Sequence, residues 1–232
     1  MKAGKNVKIM QVVLIMGIFV MLSLCLYMIR APANEQSQVN TSQVVAGTSN
    51  RLQKKSVTTS WTLDDQTVKS AIAYGKKCKT PRDFFKPWTV HALPAKYYCR
   101  DDCIIVATPY YQIACISRDS ARLYKPLDMK EIETIRKGRQ LIIIAVMYGD
   151  EIDFAADIPA VIKVNGKVIH PIDTIPQRLA NISSSWPEWP AYWAQNIYIF
   201  DTKHIPRNAK IWFILIRLLG EEKFHVDLST VK

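Results

Sequence analysis

An uninterrupted apolar run near the N-terminus is the strongest feature of the hydropathy pattern. Residues 12–29 contain no charged side chain. About 20 apolar residues in a helix cross the roughly 30 Å hydrocarbon core of a bilayer, and a helix pairs its own backbone polar groups there. Lys2, Lys5 and Lys8 precede the run, whereas Arg30 alone follows it closely. By the positive-inside rule, this asymmetry predicts a single-pass signal-anchor in the cell membrane, with the N-terminus cytoplasmic and the remainder extracytoplasmic.

Two processed forms compete with this anchor. Ala31 and Ala33 have the spacing of a signal-peptidase site, but the apolar run is longer than the usual signal-peptide core and Arg30 separates it from that site. Cys25 resembles a lipoprotein cysteine, but the residue before it is the large Leu24. Both features favour an uncleaved anchor over residues 1–30.

A polar segment separates the anchor from the rest of the chain. Residues 31–60 are dominated by Ser, Thr, Asn and Gln and have no hydrophobic periodicity. Such a composition predicts a flexible linker, with a root-mean-square span of roughly 30 Å. The remaining residues, 61–232, suffice for one exported globular domain. Its helical and irregular part is expected over about 61–138 and its β-rich part over about 139–232.

Three helices are predicted from apolar spacing of three and four residues, over 64–74, from Pro109 onward and over 128–137. Gly75 is expected to end the first helix. Asp128 and Glu131 have the spacing of a capping box at the start of the third, which Gly138 is expected to stop.

Short apolar runs predict a series of strands, mostly in the second half, over 88–92, 103–107, 141–148, 160–164, 167–171, 196–200, 210–218 and 223–228. Asn165-Gly166 is a strong hairpin signal, because both turn residues need positive φ. A second hairpin is expected around residues 220–222. Without a regular βαβ rhythm, this spacing predicts an antiparallel β-sandwich with two or three accessory helices. The pattern is similar to that of a membrane-tethered immunoglobulin-like module.

Four cysteines lie outside the apolar run, at Cys78, Cys99, Cys103 and Cys115. An even number in an exported domain predicts disulfides, at least one and at most two, and the spacing leaves all three pairings open. A zinc site is disfavoured, because no second ligand pair follows Cys99 and Cys103 at a suitable spacing. Buried thiols are the other alternative, above all for Cys115 on an apolar helix face.

The most distinctive segment spans residues 186–193, where Trp186, Trp189, Tyr192 and Trp193 occur beside two prolines. It falls in the longest stretch expected to be irregular, about 173–195. Tryptophan and tyrosine are typical interface anchors, and their faces stack on sugars and cations. The other interpretation is that these rings plug an open end of the sandwich. A split, with some rings exposed and others buried, is compatible with both.

Charge and the remaining motifs change this picture little. Of the 31 Lys and Arg residues, four lie in the first 30 residues, so the remainder carries 27 basic against 20 acidic side chains. This balance favours anionic neighbours, but the basic runs are not interleaved with aromatics as in nucleic-acid platforms, so nucleic acid is not an expected partner. The Asp101-Asp102 pair and the acidic run from Asp150 to Asp153 are expected to be turn residues rather than calcium ligands.

Three function classes remain open. The leading hypothesis is a non-catalytic, membrane-anchored envelope module that binds another envelope or secreted protein. The alternative is a binder of a cell-surface polymer or carbohydrate, which would use the 186–193 segment together with the basic surface. An extracytoplasmic enzyme is third, because no catalytic, nucleotide-binding or metal-binding motif is present. No cofactor or metal is expected.

The topology can be tested directly. A reporter fused after Lys232 should be active only outside the cytoplasm, and the protein should resist carbonate extraction, because an uncleaved apolar helix holds it in the bilayer. Recovery of a soluble product that begins at Asn34 would rule out the anchor.

Overall fold

The computed structural model describes residues 60–77, 80–92, 102–137 and 139–232. The predicted anchor, nearly all of the linker, Cys78, Cys99 and Gly138 lie outside these residues. Within the described ranges, no helix combines the length and the apolar character that a membrane crossing requires.

The described helices are α1 (Asp65–Lys77), α2 (Pro81–Phe85), α3 (Pro109–Arg122) and α4 (Met129–Lys137), with two short 3₁₀ turns at Lys86–Trp88 and Thr202–His204. Thr108 caps α3 by accepting a hydrogen bond from the backbone N–H of Tyr111. Asp128 accepts from the backbone N–H groups of Lys130 and Glu131, at 2.9 and 3.2 Å, so the predicted cap of α4 is confirmed.

The expected helix end at Gly75 is wrong, because α1 continues to Lys77. Gly75 instead lies where α1 crosses α3. A Cβ atom at this position would stand 2.2 Å from the carbonyl oxygen of Ala114 and 2.9 Å from Cβ of Ser117. The Ser117 hydroxyl donates to the carbonyl of Ile72 at 2.8 Å across the same interface. The glycine therefore serves close helix packing rather than helix termination.

In the residues that the structure describes, ten strands form two sheets. Their bounds are β1 Thr89–His91, β2 Cys103–Ala107, β3 Gln140–Gly149, β4 Ala160–Val164, β5 Lys167–Ile169, β6 Asp173–Ile175, β7 Asn181–Ile182, β8 Tyr192–Asp201, β9 Lys210–Arg217 and β10 Gly220–Asp227. The six-stranded sheet has the order β1-β2-β3-β8-β6, and β7 pairs with another part of β8. The four-stranded sheet has the order β10-β9-β4-β5. All of these pairings are antiparallel.

Two turns show where local signals succeed and fail. Asn165 and Gly166 have φ values of 49° and 76° between β4 and β5, so the predicted hairpin is confirmed. The turn of the second hairpin begins two residues earlier than expected, at Leu218-Leu219. Gly220 already belongs to β10, where it pairs with Arg217. The stretch 173–195 is also less irregular than predicted, since it contains β6, β7 and the start of β8.

The core lies between the sheets and extends to the helices. Phe213 of β9 packs against Tyr198 and Phe200 of β8, with ring centroids 5.5 and 6.3 Å apart, and so joins the two sheets. Strand β3 is buried from Leu141 to Met147, on both of its faces. The domain is thus β-rich, with two antiparallel sheets and a few helices.

The cysteines do not form the expected pair of disulfides. Cys115 is a free thiol, buried on α3, and does not bond Cys103. Its burial raises the pKa of the thiol to about 12, which makes the reactive thiolate rare at neutral pH. A disulfide that involves Cys78 or Cys99 lies outside the described residues and stays a prediction.

The contact at Gly75 generates a stability prediction. Gly75→Ala should lower the free energy of unfolding by about 1–3 kcal/mol, because the overpacking cost exceeds the roughly 1 kcal/mol that alanine adds to a helix. Chemical denaturation followed by tryptophan fluorescence would measure it. Lys69→Ala, at an exposed position of the same helix, is the matched control and should change stability by less than about 0.5 kcal/mol. A stabilised Gly75→Ala variant would contradict the assigned contact.

Candidate functional site

Three connections meet at one end of the two sheets and surround a cavity of about 530 Å³. They are the β3–β4 connection (residues 150–159), the β7–β8 loop (residues 183–191) and the β9–β10 turn. We call this space the end cavity. Its apolar lining consists of Phe154, Ile158, Trp189, Ile216, Leu218 and Leu219.

The β3–β4 connection is held in place by buried polar groups of β8. The Asn196 amide donates to the carbonyl of Ala155 at 2.8 Å, and the Tyr198 hydroxyl donates to the carbonyl of Ile158 at 2.7 Å. A Cβ atom at Gly149 would stand 2.5 Å from the ring of Phe154, so the absence of a side chain lets this ring lie against the end of β3. The cavity wall is therefore fixed by the sheet beneath it.

The β7–β8 loop is closed by Ser183. Its N–H donates to the carbonyl of Ala191 at 2.9 Å, its hydroxyl donates to the carbonyl of Pro190, and the N–H of Ser185 donates to the same hydroxyl at 3.1 Å. Both Trp–Pro peptide bonds in the loop are cis. The loop is thus a short, internally bonded projection and not a long unstructured segment.

The four aromatic residues predicted as a binding surface are split by the fold. Trp186 and Trp189 are 55% and 61% exposed, Tyr192 is half-buried and Trp193 is only 3% exposed. Trp189 lines the end cavity. Both expected roles are therefore structurally available, a plug for Trp193 and an exposed anchor for Trp186 and Trp189, and binding itself stays a prediction.

The β9–β10 turn carries two leucines in solvent. Leu218 is fully exposed and Leu219 is 77% exposed, at positions where glycine, asparagine and aspartate are the usual hairpin residues. Neither side chain contributes appreciably to the core. Sequence reasoning missed this pair, although an apolar dipeptide just before a turn glycine is a visible signal.

Further exposed apolar residues adjoin the cavity. Ile152, Leu179 and Ile182 are each at least half exposed. The N–H of Ala180 donates to the carbonyl of Ile152 at 2.6 Å, and Ile182 pairs with Tyr192 at the base of the β7–β8 loop. Together with the cavity lining, they make this end of the domain an extended apolar patch. Patches of this kind on soluble domains typically mark interaction sites.

A buried ionic cluster lies directly beneath the cavity. Arg217, whose side chain is almost wholly buried, also lines the cavity and places Nη2 2.5 Å from Oδ2 of Asp102. Its Nε is 2.9 Å from Oε2 of Glu222, as an ion-pair contact rather than an aligned hydrogen bond. Both carboxyl side chains are fully buried. The other Asp102 oxygen accepts the backbone N–H of Tyr148 at 2.9 Å.

Two carboxyl groups share one guanidinium in this cluster. Burial raises the pKa of Asp102 to about 8, the charge of Arg217 opposes that rise, and the neighbouring Glu222 carboxyl adds to it by repulsion and hydrogen bonding. The Asp102 carboxyl therefore holds its proton near neutral pH.

Glu222 was expected in the second hairpin turn, and this prediction is wrong, because the residue lies within β10. Asp102 lies next to the start of β2, as expected for a residue at a strand end, but its side chain is buried. The alternation of residues along β10 could have indicated the burial of Glu222, because this residue points inward together with Phe224 and Val226. Neither carboxyl lines the end cavity. In the part of the chain that the structure describes, no group of three His, Cys, Asp or Glu side chains is arranged to hold a metal ion.

Comparison with known protein families, curated proteins and solved structures finds no match to this chain. The end cavity and the residues around it are therefore the features from which a function can be inferred.

The raised pKa of Asp102 predicts a specific pH dependence of stability. Folding raises this pKa from its ordinary 3.8 to about 8, so the folded state holds the proton more tightly. This stabilisation is complete below about pH 4 and is lost as the pH rises toward 8, with a slope of up to about 1.4 kcal/mol per pH unit. Glu222→Gln removes the carboxyl that adds to the rise, so it should lower the pKa of Asp102 and flatten the slope, while burial continues to raise this pKa.

Urea unfolding of both proteins between pH 5 and 8.5 would measure the difference. Glu221→Gln is the matched control: Glu221 is an exposed neighbour whose pKa is lowered by its bond to Lys223, so it does not titrate in this range. Its profile should parallel that of the wild type. If stability depends on pH in the same way in the wild type and in Glu222→Gln, then Glu222 does not contribute to the raised pKa of Asp102.

Proposed function

We propose that this chain is a membrane-anchored, non-catalytic envelope module, with an immunoglobulin-like exported domain, that binds another envelope or secreted protein through the end cavity and its apolar surroundings. One observation carries the proposal. Large apolar side chains from separate connections, including Trp186, Trp189, Leu218 and Leu219, are exposed at the same end of the domain. Aromatic side chains are enriched in protein interfaces, and exposed apolar patches typically mark interaction sites.

The position of residue 61 supports this proposal. The Trp61 indole N–H donates to the carbonyl of Ile205 at 2.7 Å, and the nearby Thr202 N–H donates to the carbonyl of Arg139. The chain thus enters the domain near the start of β3, whereas the end cavity adjoins Gly149 at the end of β3. Ten strand residues span about 30 Å. With the predicted N-terminal anchor, the chain would be attached at the end of the domain opposite the cavity, which leaves the cavity accessible to other envelope components.

The charges around the end cavity disfavour one form of the alternative function, in which a polymer binds to the β7–β8 loop and to a basic surface. Trp189 lies beside Glu151, Asp153 and Asp157 in the cavity lining, and acidic groups disfavour an anionic polymer there. A neutral carbohydrate that stacks on Trp186 and Trp189 is the second candidate, because both ring systems are exposed. An enzyme is the third candidate, since the carboxyls of Asp102 and Glu222 do not line the cavity.

Site-specific photocrosslinking in the cells that make the protein tests the proposed function. A photoreactive residue in place of Leu218 should yield a discrete adduct with a membrane or secreted protein, which mass spectrometry identifies. The same residue in place of Val168, which is also half exposed but lies on β5, is the control and should yield none. An adduct of twice the mass of this chain, or equal labelling from both positions, would contradict the proposal.

Alanine substitutions should separate binding from stability. Trp189→Ala should melt like the wild type and lose most of the Leu218 adduct, because an exposed anchor contributes to binding rather than to the core. Trp193→Ala should cost about 3–5 kcal/mol of stability, because this side chain is buried. If Trp189→Ala unfolds the domain while Trp193→Ala does not, the assigned roles are reversed.

A further inference from the structure

The end cavity carries uncompensated negative charge. Glu151, Asp153 and Asp157 all contribute to its lining. Among the ion pairs formed by the described residues, none involves these three carboxylates. They come from a single connection whose wall is fixed by Asn196 and Tyr198. The negative rim is therefore a property of the folded cavity.

The cationic residue in the lining does not offset this rim. Arg217 is in ionic contact with both Asp102 and Glu222, whose carboxyls are fully buried. The Arg217 charge is therefore already paired with these two buried carboxyls. The field in the cavity is consequently set by the rim.

The other walls suit an aliphatic chain that ends in a cation. Leu218, Leu219 and Phe154 provide apolar surface, and Trp189 provides an exposed indole face. Lysine and arginine bury their methylene stems against apolar surface while the charged head stays near water or a carboxylate. An indole is also the best aromatic partner for a cation. A purely apolar side chain would leave the rim without a counter-charge.

We propose that the end cavity binds a lysine or arginine side chain that is flanked by apolar residues on a segment of the partner protein. The inference rests on the proposed function and names the chemistry of its partner.

The test uses the full chain in lipid nanodiscs and three synthetic peptides. The basic probe is acetyl-Leu-Val-Lys-Val-Leu-amide, and methionine or glutamate replaces its lysine in the two controls. Affinity is measured by the change in tryptophan fluorescence. The lysine peptide should bind about tenfold more tightly than the methionine peptide at 0.1 M salt, which is the effect of a few surface ion pairs. At 1 M salt, where the Debye length falls to about 3 Å, this preference should largely disappear.

Variants locate the effect. The double variant Asp153→Asn with Asp157→Asn should abolish the preference for lysine and leave binding of the methionine peptide unchanged. Asp173→Asn, at an exposed position on β6 outside the cavity lining, is the matched control and should keep the preference. Trp189→Ala should weaken the basic and neutral peptides, the basic one more.

Equal affinity for the lysine and methionine peptides, a preference for the glutamate peptide, or a preference that survives in the double variant would overturn the inference. Its failure is distinguishable from failure of the proposed function. A Leu218 adduct with an envelope protein, without any peptide preference, would refute the cationic chemistry alone. Lysine-selective peptide binding without any adduct in cells would refute the protein-binding role.

Discussion

A guanidinium carried by the four-stranded sheet reaches into the six-stranded sheet and meets two buried acids. Arg217 ends β9, Glu222 lies on the adjacent strand β10, and Asp102 immediately precedes β2 of the other sheet. The cluster therefore joins the sheets at the end where the aromatic contacts of Phe213 do not reach. Removing one partner of such a buried ionic group typically costs about 3–5 kcal/mol, because the remaining charge is left uncompensated. The position of the β9–β10 turn depends on this interaction.

The exposed end of the domain follows from that constraint. Arg217 and Glu222 flank the turn closely, so the turn residues themselves, Leu218 and Leu219, have no route into the core. The opposite wall depends on Asn196 and Tyr198, which hold the β3–β4 connection by its backbone carbonyls. Both walls are thus positioned by buried polar groups in the interior, whereas their large apolar side chains face outward. A rigid, preformed apolar surface lowers the entropy cost of association.

The helical half contributes packing rather than chemistry. The close approach at Gly75 and the aromatic cluster around Trp88 and Tyr111 stabilise the side of the domain away from the cavity. Arg118 stacks on the ring of Phe84 at 4.2 Å and pairs with Asp119, so its charge is used internally. The exposed Trp189 ring and the carboxylates of Glu151, Asp153 and Asp157 lie at the end cavity instead.

Local rules determined the elements of this fold. The cap at Asp128, the turn at Asn165-Gly166 and the apolar run of β2 depend on neighbours within a few residues, and each was predictable from the sequence. The segment 186–193 was also recognisable as a candidate site from its composition. Its division into exposed Trp186 and Trp189 and buried Trp193 was decided by the pairing of β7 with β8, which alternation within the segment does not specify.

Contacts between distant segments were decided by the tertiary structure alone. Gly75 is a typical helix terminator by sequence, and only the crossing of α1 and α3 makes it an interior residue. Asp102 and Glu222 are 120 positions apart in numbering, and each is an ordinary surface residue type by composition. Arg217 shares a sheet with Glu222 and reaches Asp102 beside the other sheet, so both acids have their counter-charge only when the two sheets pack together. The sequence identifies each of these residues, but the packing of the two sheets provides the free energy that stabilises their buried positions.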